Sequence, residues 1–193
     1  MKLKTKILLV CISLLIGSTI AFGAMTPIDY RSREAREDSL KAQVSSTSDP
    51  GQLFRIGDEL FKIGKLEEAN KAFRKGAITS DNIMGAATCA RLLGDYDEAV
   101  KNYSKLVDKN TYLYEAYFGR ALSYRGLEEY SKAIEDFKEA LKIAKSEYSY
   151  AGLGDLYILL GRDGEAKEIL EEGNKNYPES ALIKKLLVRA YKR

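Results

Sequence analysis

The chain contains no histidine and no tryptophan, and it has only two cysteines and three prolines among 193 residues. Without histidine it lacks the side chain that most often transfers protons at neutral pH and binds metals, so serine–histidine and cysteine–histidine catalytic pairs are excluded. The few prolines favour long helices with few interruptions. Apolar residues make up 45% of the chain and charged residues 31%, a composition typical of a soluble folded domain.

Residues 1–23 have the layout of a secretory signal peptide. Three lysines within the first six residues precede a mostly apolar run, 7–22, and small residues at Ala21 and Gly23 suit cleavage before Ala24. The run is shorter than the roughly 20 apolar residues that a spanning helix needs. Cleavage is therefore favoured over an uncleaved membrane anchor formed by residues 7–22.

Loss of this segment changes the charge and the cysteine count. Lys plus Arg falls from 31 to 28 and then equals the 28 Asp plus Glu, so the basic charge of the whole chain predicts no nucleic-acid partner. Cys89 is the cysteine that remains, which excludes an intramolecular disulfide and a zinc site of the usual spacing. A lipoprotein would need Cys11 as its lipidated residue, and Val10 stands where a small residue is expected.

Residues 24–48 are predicted to form a flexible charged tether. The segment combines the mixed charge run SREARED with the turn formers SSTSDP, and its apolar residues do not form a helical stripe. The alternatives are a loose helix after Pro27 and a short coiled-coil or partner-docking arm.

From residue 49 onwards the sequence repeats itself. Four alanines mark the copies at intervals of 30, 34 and 33 residues: Ala69, Ala99, Ala133 and Ala166. A glycine stands five residues before three of them, at Gly64, Gly94 and Gly161. The third copy has Glu128 at that position and its glycine at Gly126. A period of this length indicates stacked helical units, none of which buries its apolar face alone.

Each unit is predicted to consist of two antiparallel helices. In the third copy, EAYFGRALSYRG and YSKAIEDFKEALKIA both place apolar residues at helical spacing. The glycine between the helices suits a left-handed turn. Small residues such as Ala87 and Ala121 allow close helix approach, and the aromatics Phe73, Tyr103 and Phe137 are expected to fill the seam towards the neighbouring unit.

These residues resemble the tetratricopeptide repeat family. The third copy matches best, through Tyr117, Ala121, Tyr124, Tyr130, Ala133, Phe137 and Ala140. The second carries Ala87, Gly94, Tyr96, Ala99 and Tyr103, and the fourth carries Tyr150, Gly154, Tyr157, Gly161, Ala166 and Pro178. The first copy is weaker. The resemblance implies an all-α solenoid of about four helix-turn-helix repeats, over about 50–79, 80–113, 114–146 and 147–180, with a capping helix over 181–193.

In that family the first helices of successive units line a concave groove that holds a peptide or a partner helix. The resemblance places these residues in the groove: Phe54, Asp58, Met84, Thr88, Arg91, Phe118, Leu122, Arg125, Tyr148 and Asp155, with Lys185 and Arg189 from the C-terminal helix. For the apolar members, packing between helices is an equally open interpretation.

Two recognition modes of the family are not expected here. The positions that clamp a partner's C-terminal carboxylate carry Phe54, Asp58, Gly85, Glu115 and Gly119. Where the family often has an asparagine that grips an extended peptide, this chain has Gly85, Gly119 and Gly152. These glycines are predicted to leave room for a close-fitting apolar partner.

No catalytic, cofactor-binding or metal-binding residue is predicted. Cys89 lies among alanines on a predicted helix, which indicates a small buried residue. The sequence favours a non-enzymatic scaffold that is exported to the periplasm or cell envelope and binds a protein or peptide. The alternatives are an envelope-assembly accessory or chaperone anchored by an uncleaved N-terminal helix, and an enzyme with an unrecognised acidic site.

The last residues are predicted to cap the array. Leu182, Leu186 and Leu187 form an apolar stripe that is expected to cover the exposed end of the fourth unit. Five basic side chains accompany it, at Lys184, Lys185, Arg189, Lys192 and Arg193. A solvating cap is the first interpretation, and peripheral contact with anionic lipid or an acidic partner is the second.

Overall fold

The computed structural model describes the backbone of residues 27–192 and the side chains of residues 32–192. Within this range the chain forms helices and no strand, which confirms the predicted all-α class. The helices are α1 Pro27–Ser46, α2 Pro50–Lys62, α3 Leu66–Lys75, α4 Ser80–Leu92, α5 Tyr96–Asp108, α6 Leu113–Gly126, α7 Tyr130–Ile143, α8 Glu147–Leu159, α9 Asp163–Asn176 and α10 Ala181–Tyr191.

Of the segment predicted to be a flexible tether, Pro27–Ser46 is helical, so that prediction is corrected for the residues of α1, and the alternative of a helix after Pro27 agrees with the structure. The chain divides into one unit up to Ser39 and a second from Leu40 onwards. In the second unit, Leu40 is buried and Val44, one turn later, packs against the same cluster as Phe73. Two apolar residues four apart dock these last turns of α1, and such a pair is too short to be recognised as a stripe.

Lys75 strengthens this docking at the end of α1. Its ammonium group donates hydrogen bonds to the backbone carbonyl oxygens of Val44, at 2.8 Å, and Ser45, at 3.2 Å. The last carbonyls of a helix have no partner within the helix, so a cation placed there satisfies them and complements the negative end of the helix dipole.

Helices α2 to α9 form four pairs joined by short turns, α2/α3, α4/α5, α6/α7 and α8/α9. Three of these turns use a glycine with positive φ, as predicted: Gly64 at 81°, Gly94 at 82° and Gly161 at 70°. The third turn keeps the same conformation with Glu128, at φ 60°. Its glycine, Gly126, lies against the Tyr96 ring, where an added Cβ would be 2.6 Å from a ring carbon.

Polar caps set the start of the first helix in several pairs. Asp49, Thr79 and Ser146 each accept a hydrogen bond from the backbone N–H three residues later, at the starts of α2, α4 and α8. Ser180 does the same for α10. Each cap satisfies one of the N–H groups that a helix start leaves unpaired, and such a cap is worth about 1 kcal/mol.

The repeat-marking residues are packing residues. Ala69, Ala99, Ala133 and Ala166 are completely buried. The aromatics predicted to fill the seam do so, because Phe73, Tyr103 and Phe137 lie against glycines on the first helix of the next pair. A Cβ added to Gly85, Gly119 or Gly152 would come within 3.0 Å of those rings. The space at these glycines is therefore filled from within, and the prediction that it is left for a partner was wrong.

The hydrophobic core consists of three clusters arranged along the chain. The first joins the end of α1 to the first pair, the second centres on α4 and α5, and the third joins the last two pairs to α10. None of the helices between residues 27 and 192 is both long enough and apolar enough to cross a membrane. The predicted signal peptide, 1–23, and the alternative anchor, 7–22, lie outside the described residues.

Candidate partner-binding groove

The first helices of successive pairs are neighbours, in the order α2, α4, α6, α8 and α10. Each places its predicted groove residues three, four or seven positions apart, which puts them on one face of that helix. Phe54 and Asp58 share a face of α2, and Met84, Thr88 and Arg91 share a face of α4. We call the surface made by these faces the first-helix groove.

One end of the groove contains a pocket of about 240 Å³. Four predicted residues line it together: Phe54, Asp58, Met84 and Thr88. The Phe54 ring, 36% exposed, lies 5.9 Å from the buried ring of Phe73. The Thr88 hydroxyl lies 3.3 Å from the Tyr103 hydroxyl. The pocket therefore has an apolar floor that belongs partly to the core and partly to the surface.

Sequence reasoning missed Phe61, Asp81 and Tyr112, which also line this pocket. The Tyr112 hydroxyl donates a hydrogen bond to the Asp81 carboxylate, and this bond is the main reason that the pKa of Tyr112 is raised. Tyr112 precedes α6 in the turn between pairs, at φ 51°. It was missed because turn residues stand outside the helical periodicity from which the groove was predicted.

Two carboxylates stand at the rim of the pocket. Asp58 pairs with Lys62 one turn along α2, and its side chain stays 41% exposed. Asp81 is exposed and accepts the Tyr112 hydrogen bond. Exposed i,i+4 ion pairs contribute only about 0.3–0.5 kcal/mol, so a cation brought by a partner can replace Lys62 at little cost. The rim is suited to a positively charged group.

In the middle of the groove, the predicted apolar residues belong more to the hydrophobic core than to the surface. Phe118 and Leu122 are half-buried and pack against the core cluster that joins the last two pairs to α10, which we call the C-terminal cluster. The Phe118 ring lies 6.0 Å from the Tyr114 ring and 5.7 Å, edge-on, from the Phe137 ring. For these two residues the structure favours packing between helices. Arg91 is half-buried, and its Nε has no hydrogen-bond partner within residues 32–192.

The charged residues at the far end of the groove pair with one another. Asp155 of α8 accepts a 2.7 Å hydrogen bond from Arg125 of α6 and a 2.8 Å hydrogen bond from Arg189 of α10. One carboxylate thus joins three helices and offsets one of the two guanidinium charges. This cluster holds α10 in place more than it offers free charge to a partner.

The two remaining predicted groove residues, Tyr148 and Lys185, are exposed at the edge of the first-helix groove. Tyr148 is 64% exposed near the start of α8, and Lys185 is exposed on α10. Neither lines the pocket that contains Met84. On α10 the buried face is Ile183, Leu186 and Ala190, and Leu187 packs against the same cluster. The predicted stripe was therefore right at Leu186 and Leu187 and wrong at Leu182, which is 41% exposed.

The chemistry of the described residues is limited. Cys89 is completely buried, and burial raises the pKa of its thiol to about 12. Such a thiol is a poor nucleophile and a poor metal ligand at neutral pH. Among residues 32–192, no three acidic or cysteine side chains come together in a way that could hold a metal ion.

Comparisons with curated proteins and solved structures agree with this architecture. The mouse "BBSome complex member BBS4" is 26% identical over 121 residues, which are 61% of this chain and 23% of that protein. A small glutamine-rich tetratricopeptide repeat-containing protein of Mycosarcoma maydis is 30% identical over 92 residues, which are 47% of this chain and 26% of that protein. The chain spans about a quarter of the length of these relatives.

Solved structures match over more of the chain. A tetratricopeptide repeat protein from Parabacteroides merdae has a TM-score of 0.69 and 22% identity, over 85% of this chain and 68% of that one. MamA from Desulfovibrio magneticus has a TM-score of 0.66 and 18% identity, over 82% of this chain and 99% of that one. YrrB, described as a repeat protein with an unusual peptide-binding site, has a TM-score of 0.64 and 14% identity, over 81% of this chain and 84% of that one.

Family models of the tetratricopeptide repeat match three segments, 81–110, 114–146 and 148–180. These segments correspond to the second, third and fourth helix pairs, and the first pair continues the same arrangement. The sequence pattern, the paired helices and the matched segments together show that the chain belongs to the tetratricopeptide repeat family.

Proposed function

We propose that this protein is a non-enzymatic scaffold of the cell envelope that binds a peptide or helix of a partner protein in its first-helix groove. Proteins of this family generally act as protein–protein interaction scaffolds. The observation that carries the proposal is the pocket of about 240 Å³ between α2 and α4, where four groove residues predicted from the sequence meet.

The size and lining of the pocket favour a peptide side chain over a small molecule. Pockets for drug-sized ligands usually enclose roughly 300–1,000 Å³, and this pocket is smaller. Its aromatic floor suits one bulky apolar side chain, and the carboxylates of Asp58 and Asp81 suit a lysine or arginine beside it. The partner motif is therefore a bulky apolar residue next to a basic one.

Export is the second part of the proposal. Its support is the sequence of residues 1–23, with lysines before an apolar run and small residues before Ala24. Cellular fractionation and N-terminal sequencing of the full chain test it, and the expected product is an exported protein that begins at Ala24. Replacing Lys2, Lys4 and Lys6 with glutamate is expected to retain the protein in the cytoplasm; unchanged export would contradict the signal-peptide interpretation.

A peptide library tests the binding motif. The chain is immobilised and used to select random ten-residue peptides, and the selected pool is expected to be enriched in bulky apolar residues next to lysine or arginine. Binding of the best peptide is then measured for Met84→Ala and Asp58→Lys. We expect each change to weaken binding roughly tenfold, which corresponds to about 1.4 kcal/mol.

Asp97→Lys is the matched control for charge. Asp97 is an exposed aspartate on α5, a second helix, and it does not line the pocket. The control is expected to bind like the wild type. A pool without the motif, or equal losses for Asp58→Lys and Asp97→Lys, would show that the pocket is not the recognition site.

A further inference from the structure

A second groove lies between helices that the first-helix groove does not use. It encloses about 460 Å³ between α7 and α9, the second helices of the third and fourth pairs. Its floor includes Tyr150, Leu153 and Tyr157 of α8. Tyr148 and Asp155, on the first-helix side of α8, are about half a turn away from these residues around the helix. We call this cavity the second-helix groove.

The two walls of the second-helix groove carry opposite charges. Lys138 and Lys142 of α7, with Lys145 just after its end, form the basic wall. Glu165, Glu168 and Glu172 of α9 form the acidic wall. The glutamates have the spacing of one helix face over about 10 Å, or two turns, and Lys138 and Lys142 are one turn apart on α7. Leu141 and Ile169 complete the apolar floor between the rows.

Contacts across the groove show that the two walls already attract each other. Lys145 donates a 3.1 Å hydrogen bond to Glu172, which also accepts one from the Tyr150 hydroxyl at 2.8 Å. The pKa of Glu165 is lowered, mainly by Arg162, and Lys138 across the groove adds to this effect. These charges are largely exposed and screened by solvent, so their attraction is weak and a competing charged partner can replace it.

The basic, apolar and acidic rows that run side by side in the second-helix groove restrict the kind of molecule that can bind there. A strand presents side chains on two opposite faces, so it cannot place an acidic, an apolar and a basic row side by side on one surface. A helix can present three such rows side by side, because residues on neighbouring rows lie about 100° apart around its axis. A purely anionic or cationic ligand would be repelled by one of the walls.

We propose that the second-helix groove docks an amphipathic helix of a partner protein, about two turns of which lie between α7 and α9. An apolar row faces Leu141, Leu153 and Ile169, an acidic row faces the lysines, and a basic row faces the glutamates. This surface is separate from the peptide pocket of the proposed function, so the scaffold holds two partners at once.

A designed peptide tests this proposal. The probe is a fluorescent 14-residue helical peptide with an apolar row between a glutamate row and a lysine row. The comparison peptide keeps the apolar row and has glutamine in both flanking rows. Exchanging the two charged rows is not a useful control, because the helix then binds in the opposite direction. We expect fluorescence anisotropy to show at least tenfold tighter binding of the charged probe to the wild-type chain.

Charge reversal of one wall makes the test specific. Lys138→Glu combined with Lys142→Glu reverses the charge along α7 and leaves Lys145 as the remaining cation of the basic wall. The variant is expected to bind the probe at least tenfold more weakly and to gain affinity for a peptide with lysine in both flanking rows. Lys101→Glu combined with Lys109→Glu, both exposed and on or just after α5, changes the net charge equally and is expected to bind the probe normally. Unchanged melting temperatures confirm that all variants are folded.

Four results would overturn the proposal. The glutamine peptide would bind as tightly as the probe, the Lys138/Lys142 variant would retain the probe, or the Lys101/Lys109 variant would lose it equally. Loss of the probe on Met84→Ala would place it in the first-helix groove.

Sedimentation of the wild type and the Lys138/Lys142 variant separates a further case: self-association that the variant abolishes would identify a second copy as the occupant. Peptides selected for the first-helix pocket are expected to bind the Lys138/Lys142 variant normally, which keeps the two proposals distinguishable.

Discussion

Glu128 occupies the left-handed turn that glycine occupies in the other three pairs. A left-handed backbone costs an L-residue with a Cβ roughly 1–2 kcal/mol, whereas glycine adopts it freely but loses more entropy on folding. We expect Glu128→Gly to raise the free energy of unfolding by about 0.5–1 kcal/mol, measured by urea denaturation. The matched control is Glu135→Gly in the exposed middle of α7, which is expected to lower it by about 1 kcal/mol. Equal effects of the two changes would contradict the strain at Glu128.

Because the Cys89 thiol is buried, the protein is expected to become less stable as the pH rises into the alkaline range. Burial raises the pKa of its thiol from 9.0 to about 12, so the thiolate is favoured in the unfolded chain. The stabilisation is complete below about pH 9 and is lost as the pH rises towards 12, with a slope of at most about 1.4 kcal/mol per pH unit. We expect the denaturation midpoint of the wild type to fall more steeply between pH 8 and 11 than that of Cys89→Ala. Parallel curves would mean that folding does not perturb the thiol.

Among the elements, α5, α6 and α7 are joined by a buried ion pair that the repeat pattern did not reveal. The Arg120 guanidinium donates to both carboxylate oxygens of Asp136, at 2.7 and 2.8 Å, and to the Ser104 hydroxyl at 3.0 Å. The two charged side chains are only 16% and 7% exposed. Their geometry fixes the third pair against the second.

Removing one member of this pair is expected to be costly. Asp136→Ala leaves a buried guanidinium without its carboxylate, so we expect it to lower the free energy of unfolding by about 3–5 kcal/mol in urea denaturation. The double variant Arg120→Met with Asp136→Leu removes both charges and is expected to recover most of that loss. A double variant no more stable than Asp136→Ala would show that packing, and not the unpaired charge, accounts for the effect.

Some elements of the fold could be predicted from the sequence, and others could not. The repeat pattern predicted the paired helices and the left-handed turns, because both follow from local spacing and from glycine. For α1 it gave a loose helix after Pro27 only as an alternative to the tether, because a single pair of apolar residues docks the chain. On α10 the buried Ile183 was missed and the exposed Leu182 was chosen, because three adjacent apolar residues leave the buried face ambiguous by one position.

The groove was harder to predict than the helices. Spacing places residues on a helix face, and Phe54, Met84 and two further predicted residues line one pocket. It does not give the distance between neighbouring helices, so it could not show that Asp155 lies between Arg125 and Arg189. The positions of Tyr112 and of the charged walls of the second-helix groove depend on turns and on contacts between helix pairs. The spacing of residues along one helix does not reveal these.

On the scale of the whole molecule, the second unit has three core clusters in succession and no single centre. Each helix pair packs mainly on its neighbours, so the stability of such an array is approximately a sum of local contributions. Damage at one end is therefore expected to loosen the nearest pairs first. The cap α10 offers a direct test, since Leu186 is 5% exposed within the C-terminal cluster and Leu182, one turn earlier, is 41% exposed.

Leu186→Asp is expected to open the C-terminal end of the array. The change removes a buried leucine and places a carboxylate in an apolar cluster, at a cost of at least about 2–5 kcal/mol. Hydrogen exchange followed by mass spectrometry should then show faster exchange in α8, α9 and α10, while α2 to α5 keep their protection. Leu182→Asp is the matched control and should leave all helices protected. Uniform loss of protection along the chain would mean that the array unfolds as one cooperative unit, because coupling between the clusters would then exceed the local cost at the cap.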